Sequence, residues 1–118
     1  MQIGVDIEDI KRFESKTLEN DSNFLNHIYT QNELDYCFSF AHPAQHLAAR
    51  FCAKEAVVKA LTNVCSDHIS YNEIEVLKRE NDSPYINILK NGMIDNSLIS
   101  LSLSHDRDKA IAFVVVQD

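Results

Sequence analysis

The sequence predicts an α+β fold with helices packed on a mainly antiparallel sheet, and three observations carry this. A short alternating segment opens the chain, the middle third repeats its apolar residues at helical spacing, and from about residue 69 the period switches to two. One strand, a run of helices and then a run of strands fits an antiparallel sheet better than the regular strand-helix alternation of a parallel one. At 118 residues the chain is expected to form one domain spanning residues 1–118, burying about two-thirds of the surface its unfolded form exposes.

Gln-Ile-Gly-Val-Asp-Ile at positions 2 to 7 alternates as a short strand, with Ile3, Val5 and Ile7 on one face and Gly4 and Asp6 on the other. The polar face continues to Glu8. From Asp9 to about Leu18, Ile10, Phe13 and Glu14 stand at helical spacing. Asn20 to Asn23 reads as a turn and cap leading into a second short helix through Phe24, Leu25 and Ile28. Thr30-Gln31-Asn32-Glu33 fits a capping box, hydroxyl at the cap and carboxylate three residues on, so a helix is expected from Thr30 to about Phe40. Ala41-His42-Pro43 breaks it. Ala44 to Thr62, rich in Ala and Leu and free of Gly and Pro, is the strongest helix of the chain. Ile69 to Leu77, Tyr85 to Leu89, Ile99 to Ser104 and Ala110 to Val116 then read as strands. Turns are expected at Glu80 to Pro84 and at Asp106 to Asp108.

Charge and composition narrow the function. Acidic residues outnumber basic ones 18 to 11, a net charge of −7, which argues against a nucleic-acid binder that works by neutralising phosphates. Only Gly4 and Gly92 are glycine, which excludes a Gly-rich loop cradling phosphates through backbone amides. Any phosphate must be gripped by side chains or a metal. Cys37, Cys52 and Cys65 are odd in number and form no Cys-x-x-Cys, so reduced thiols in a cytoplasmic protein are expected. No apolar run approaches the roughly 18 residues of a membrane span, and the start has no signal-like core.

Side-chain direction repeats every two residues in a strand, which puts Asp6 and Glu8 on one side, and Glu55 and Lys59 share one face of the long helix. Should that helix lie on the sheet near the end of the first strand, carboxylates and an ammonium converge in a hard-oxygen site suited to Mg²⁺ bridging phosphates. The structural alternative stands beside it: strand-end carboxylates often cap helices, and Glu55 with Lys59 is an ordinary i, i+4 pair. Ser102-Leu103-Ser104-His105 closes a strand, and a histidine there can grip a phosphate or sit exposed in a turn. His42 and His46 suggest zinc weakly, because Pro43 interrupts the helix between them and no further ligand is spaced to help. No Gly-x-Ser-x-Gly elbow and no Cys-His pair supports a covalent hydrolase.

Three blocks resemble the 4′-phosphopantetheinyl transferases, in particular the short holo-acyl-carrier-protein synthase type: Ile3 to Ile10, Arg50 to Ala60, and Ser102 to His105. They occur in the right order across nearly the whole chain. The resemblance implies that family's fold and the transfer of the phosphopantetheine arm of coenzyme A to a serine of an acyl carrier protein, leaving adenosine 3′,5′-bisphosphate, a step of lipid metabolism. It implies that Asp6 and Glu55 hold Mg²⁺, that Lys59 contacts the phosphates, and that Glu55, directly or through water, takes the serine proton. Arg50, Lys59, Ser104 and His105 are the implied coenzyme A contacts. Short members are trimers with sites between subunits, so His105 is expected to serve a neighbour. Glu8 resembles the second acidic residue of the larger members and is a candidate third ligand.

The chain departs from short members at Thr62-Asn63-Val64-Cys65-Ser66, where they carry a Gly-containing turn. It departs again at the first helix, where Lys11, Arg12 and Lys16 are interleaved with Asp9, Glu14 and Glu19; the mixed charge predicts weak steering toward an acidic carrier. The alternatives are a non-catalytic relative that binds a carrier or coenzyme A, and a metal-dependent phosphohydrolase resting on the carboxylates alone.

Overall fold

Strand β1 (Gln2–Asp9) pairs antiparallel with the last strand, β5 (Lys109–Val116), which pairs antiparallel with β4 (Ile99–Asp106). Their order is β1-β5-β4, so the chain ends lie side by side and the Met1 ammonium meets the Asp118 carboxylate. A second antiparallel sheet joins β2 (Ile74–Lys78) to β3 (Pro84–Ile88). Helices α1 (Ser22–Ile28), α2 (Gln31–Cys37) and α3 (Ala44–Leu61) fill the stretch between β1 and β2. The computed structural model describes residues 1–118. The α+β expectation holds, with the strands divided between two sheets.

Helix α3 lies across β1 and β5 and is buried around most of its circumference, from Leu47 and Ala48 through Cys52 and Ala53 to Val57 and Ala60. This is the form a helix takes at the centre of a domain. Gly4 is what lets it come so close. A Cβ at that position would lie 1.9 Å from the Ala56 carbonyl oxygen and 3.0 Å from the Ala60 nitrogen. On the covered face of the sheet, Gly4 is joined by Ala110, Ala112, Val114 and Val116, all buried.

The opposite face is open and apolar. Ile3, Val5 and Ile7 are 61%, 49% and 59% exposed, and the register sets them beside Val115, Phe113 and Ile111 of β5. Ser100, Ser102 and Ser104 of β4 continue the same three rows. The apolar side of the opening strand is thus its outer side, and the core takes the side that carries Gly4.

Three elements differ from the sequence expectation. The helix expected from Asp9 to Leu18 is a single 3-10 turn, Ile10–Phe13. Its continuation bonds i to i+3, and the amides of Lys11, Thr17 and Asn20 are taken by the side chains of Asp9, Asp21 and Thr17; such local side-chain bonds compete with a helix. Helix α2 begins at the expected Thr30 capping box but ends at Cys37, where Ser39 turns back onto the Tyr36 carbonyl. The strand expected from Ile69 starts only at Ile74, after a 3-10 turn at Tyr71–Glu73.

That turn is held by a buried lysine. Lys54, without exposed side-chain surface, donates to the Glu33 carboxylate at 2.7 Å and to the backbone carbonyls of Tyr71 at 2.9 Å and Ile74 at 2.5 Å. Glu33 also accepts from the Thr30 and Val76 amides at 2.9 Å each. All three ammonium protons are therefore used, as a buried charge requires. The three cysteines are free; burial pushes the Cys37 and Cys52 thiols up to about 12.

Candidate functional site

The close approach of α3 to β1 at Gly4 brings two chemical rows together two residues further on. Lys59 donates to the Val5 carbonyl at 2.9 Å and to Asp6 Oδ1 at 3.3 Å. The i, i+4 pair with Glu55 that the sequence allowed is not made. Glu55 instead accepts a hydrogen bond from the Tyr71 hydroxyl. Glu8 accepts from Arg12 Nη1 at 2.9 Å, and Arg12 lies over the Phe51 ring, 5.1 Å from its centroid. Phe51 and Tyr71 are themselves in ring contact at 5.4 Å. One contact path therefore runs Glu8, Arg12, Phe51, Tyr71, Glu55.

The electrostatics follow from burial and crowding of like charge. Glu8 is pushed up to about 7, first by burial and then by the neighbouring Asp6 carboxylate, against the opposing pull of Arg12. Tyr71 is pushed up to about 12, chiefly because its hydroxyl is engaged with Glu55, so the phenol is a donor throughout the neutral range.

Asp6 Oδ2 is buried and has no hydrogen-bond partner. A buried carboxylate oxygen left unpaired is costly, and a bound cation would satisfy it. The available donors are carboxylate oxygens, the chemistry of Mg²⁺, which is commonly held by one or two carboxylates plus water and substrate phosphates. The residues therefore fit a magnesium ion. No group of three His, Cys, Asp or Glu side chains is already arranged to enclose a metal, while the charges of Glu55, Asp6 and Glu8 all act on the Tyr71 hydroxyl. Arg12 holds Glu8 and Tyr71 holds Glu55.

A second, cationic group surrounds Arg50. This arginine is 3% exposed and its guanidinium carbon lies 4.1 Å from the Tyr36 ring centroid, while its Nε has no hydrogen-bond partner. Lys78 lies over the same ring, and His46 stacks on Phe40 at 3.9 Å. Burial, then the charges of Arg50, Lys78 and His105, hold the His46 imidazole below its ordinary value. Both His105 and Ser104 are exposed. His105 occupies the same cross-strand row as Glu8, with Ala110 between them.

A cleft of about 830 Å³ opens beside Tyr71, lined by Phe24, Ile28, Val58, Leu61 and Met93 and by the connection from Thr62 to Ser70. The segment that lacks glycine thus borders it. Two residues of the site escape sequence reasoning. Arg12 had a signal, its i+4 spacing from Glu8; Tyr71 had none, because the fold alone brings it to Glu55.

Comparison with known proteins places the chain among relatives of one family. The family model described as the 4′-phosphopantetheinyl transferase superfamily matches residues 2–114. A holo-[acyl-carrier-protein] synthase of Protochlamydia amoebophila is 41% identical over 115 residues, covering 96% of this chain and 94% of that protein. One from Thermodesulfovibrio yellowstonii is 40% identical, covering 97% and 96%. Among solved structures, the Helicobacter pylori holo-[acyl-carrier-protein] synthase in complex with coenzyme A superposes with a TM-score of 0.80 at 32% identity, covering 98% of this chain and 99% of that one.

Proposed function

The chain belongs to the 4′-phosphopantetheinyl transferase superfamily, and on that ground we propose that it is a holo-acyl-carrier-protein synthase using Mg²⁺. The proposed reaction moves the phosphopantetheine arm of coenzyme A to a serine of an apo acyl carrier protein. The serine oxygen attacks the phosphorus that bears the arm, the pyrophosphate bond breaks, and adenosine 3′,5′-bisphosphate leaves. The observation that carries the reading is the unpartnered oxygen of Asp6, whose other oxygen meets Lys59 at the β1–α3 contact.

In this reading Asp6 and Glu55 hold Mg²⁺, with Glu8 as the outer carboxylate of the row. The bound ion supplies charge stabilisation for the transferring group. Lys59 neutralises the phosphates and keeps Asp6 oriented. Glu55 receives the serine proton, directly or through water, within a site that positions both reactants. Arg50, Ser104 and His105 grip the nucleotide end of coenzyme A. Support for that grip comes from the buried, unpartnered Arg50 Nε and the cationic neighbours around it. Two of the three basic residues between β1 and α1 are engaged with the chain's own acids, Arg12 with Glu8 and Lys16 with Asp21, which supports weak electrostatic steering of the carrier.

We further propose a homotrimer with sites between subunits. The open sheet face of Ile3, Val5, Ile7, Ile111 and Phe113 is a contiguous apolar patch of the kind that marks a protein interface. The decisive experiment incubates the protein with coenzyme A, Mg²⁺ and a panel of apo carriers. A mass gain of one phosphopantetheine on a carrier serine is expected. Tight coenzyme A binding with no transfer to any carrier would make it a non-catalytic relative instead.

A further inference from the structure

We propose that Tyr71 is a positioning residue for Glu55, holding its carboxylate through one oxygen so that the other remains available to a divalent cation. The inference rests on the reading of Glu55 as a metal ligand. Glu55 makes no other side-chain hydrogen bond or ion pair than the one it accepts from Tyr71. Lys59, one turn along α3, is committed to β1 through the Val5 carbonyl and Asp6, and the Tyr71 hydroxyl is the hydrogen-bond donor that Glu55 Oε1 finds. A flexible carboxylate with no partner would sample several rotamers on a half-buried helix face.

Tyr71, by contrast, is fixed from several sides. Its ring rests against Phe51, which is packed on Phe13 at 5.8 Å. Its backbone carbonyl accepts from the Lys54 ammonium, which also takes the Ile74 carbonyl beyond the 3-10 turn and is itself paired with buried Glu33. Lys54 and Glu55 are consecutive on α3, so the residue that pins the turn is covalently next to the one the turn holds. The resulting frame ends in a single hydroxyl, and that hydroxyl meets the proposed ligand. Hydrogen bonds of this kind to ligating side chains commonly change metal affinity or activity by about 10- to 100-fold when removed.

The test uses Tyr71→Phe, which keeps the ring against Phe51 and removes only the hydroxyl. Binding of Mn²⁺ alone, without coenzyme A, is measured by calorimetry for the wild type, Tyr71→Phe, Glu55→Asp and the double variant, together with kcat and KM for coenzyme A. Tyr71→Phe is expected to weaken Mn²⁺ binding about 10-fold and to lower kcat with KM for coenzyme A unchanged and the melting temperature held. Glu55→Asp withdraws the carboxylate from the hydroxyl, so adding Tyr71→Phe to it should cost nothing more, the non-additivity expected of a coupled pair. Mn²⁺ binding by Tyr71→Phe as tight as or tighter than wild type, or an equal loss on both backgrounds, overturns the inference alone. A wild-type protein that takes up no Mn²⁺ and transfers no arm overturns the reading of Glu55 and this inference with it.

Discussion

Asp6 carries a stability cost at the point where the proposed chemistry needs charge. One carboxylate oxygen is shared with Lys59 at 3.3 Å and the other is buried without a partner. Replacing the carboxylate with an amide removes a desolvated charge and gives the orphaned atom a chance to donate. Asp6→Asn is therefore expected to melt at or above the wild-type temperature while losing at least about 100-fold in kcat/KM, or about 2.7 kcal/mol of transition-state stabilisation. A thermal melt and a carrier-loading assay on the same preparation check both halves; unchanged turnover would remove Asp6 from the site. Gly4 is the opposite case, a residue with no chemistry whose size sets the geometry of everything near it. Gly4→Ala would set a methyl group 1.9 Å from the Ala56 carbonyl, forcing α3 and β1 apart. The expected outcome is a loss of about 3 kcal/mol in urea unfolding together with impaired transfer, since Lys59 and Asp6 meet across that contact.

At the scale of elements, α3 is the organiser. One side approaches β1 and presents Lys59; another sends Lys54 into the interior to hold the turn before β2; Glu55 lies between these roles in sequence. Lys54→Met would leave Glu33 without its ammonium and free the carbonyls of Tyr71 and Ile74. Breaking one side of a buried pair in this way is expected to cost about 3 kcal/mol, read as a lower urea midpoint. A stability within experimental error of wild type would show that the turn before β2 does not depend on this pin. The helices themselves were legible where local chemistry decides them. The Thr30 capping box formed with both of its hydrogen bonds, and the Gly- and Pro-free run from Ala44 became α3 close to its expected limits. The stretch after Asp9 was not legible as a 3-10 turn, because helical spacing of Ile10 and Phe13 says nothing about side chains that capture the amides of the following residues.

For the whole molecule, the unusual feature is a sheet with one face filled by a helix and the other left apolar and open. Val5, Phe113 and Ser102 form the middle row of that open face. Phe113→Asp is expected to reduce the mass in solution to that of one chain, measured by light scattering, because a charge at the centre of an apolar interface is costly to desolvate. If the sites lie between subunits, transfer should fall with the assembly. A variant that keeps an oligomeric mass would count against this face as the interface.

The alternation of the first strand was correct as a pattern, yet it could not say which face is inside. Hydrophobicity alone favours burying Ile3, Val5 and Ile7; the tertiary structure buries Gly4 and half-buries Asp6 and Glu8 instead, because a glycine lets α3 approach as no larger residue would. By itself the sequence determined the order of elements, the helix caps, the exclusion of a glycine-rich phosphate loop, and Asp6, Glu55 and Lys59 as the chemical candidates. These depend on local spacing and on side-chain type. Only the tertiary structure decided that Lys59 turns to β1 and not to Glu55, and that Tyr71 reaches Glu55. Each of those contacts joins elements whose separation is set by the packing of α3, a distance that no local pattern encodes.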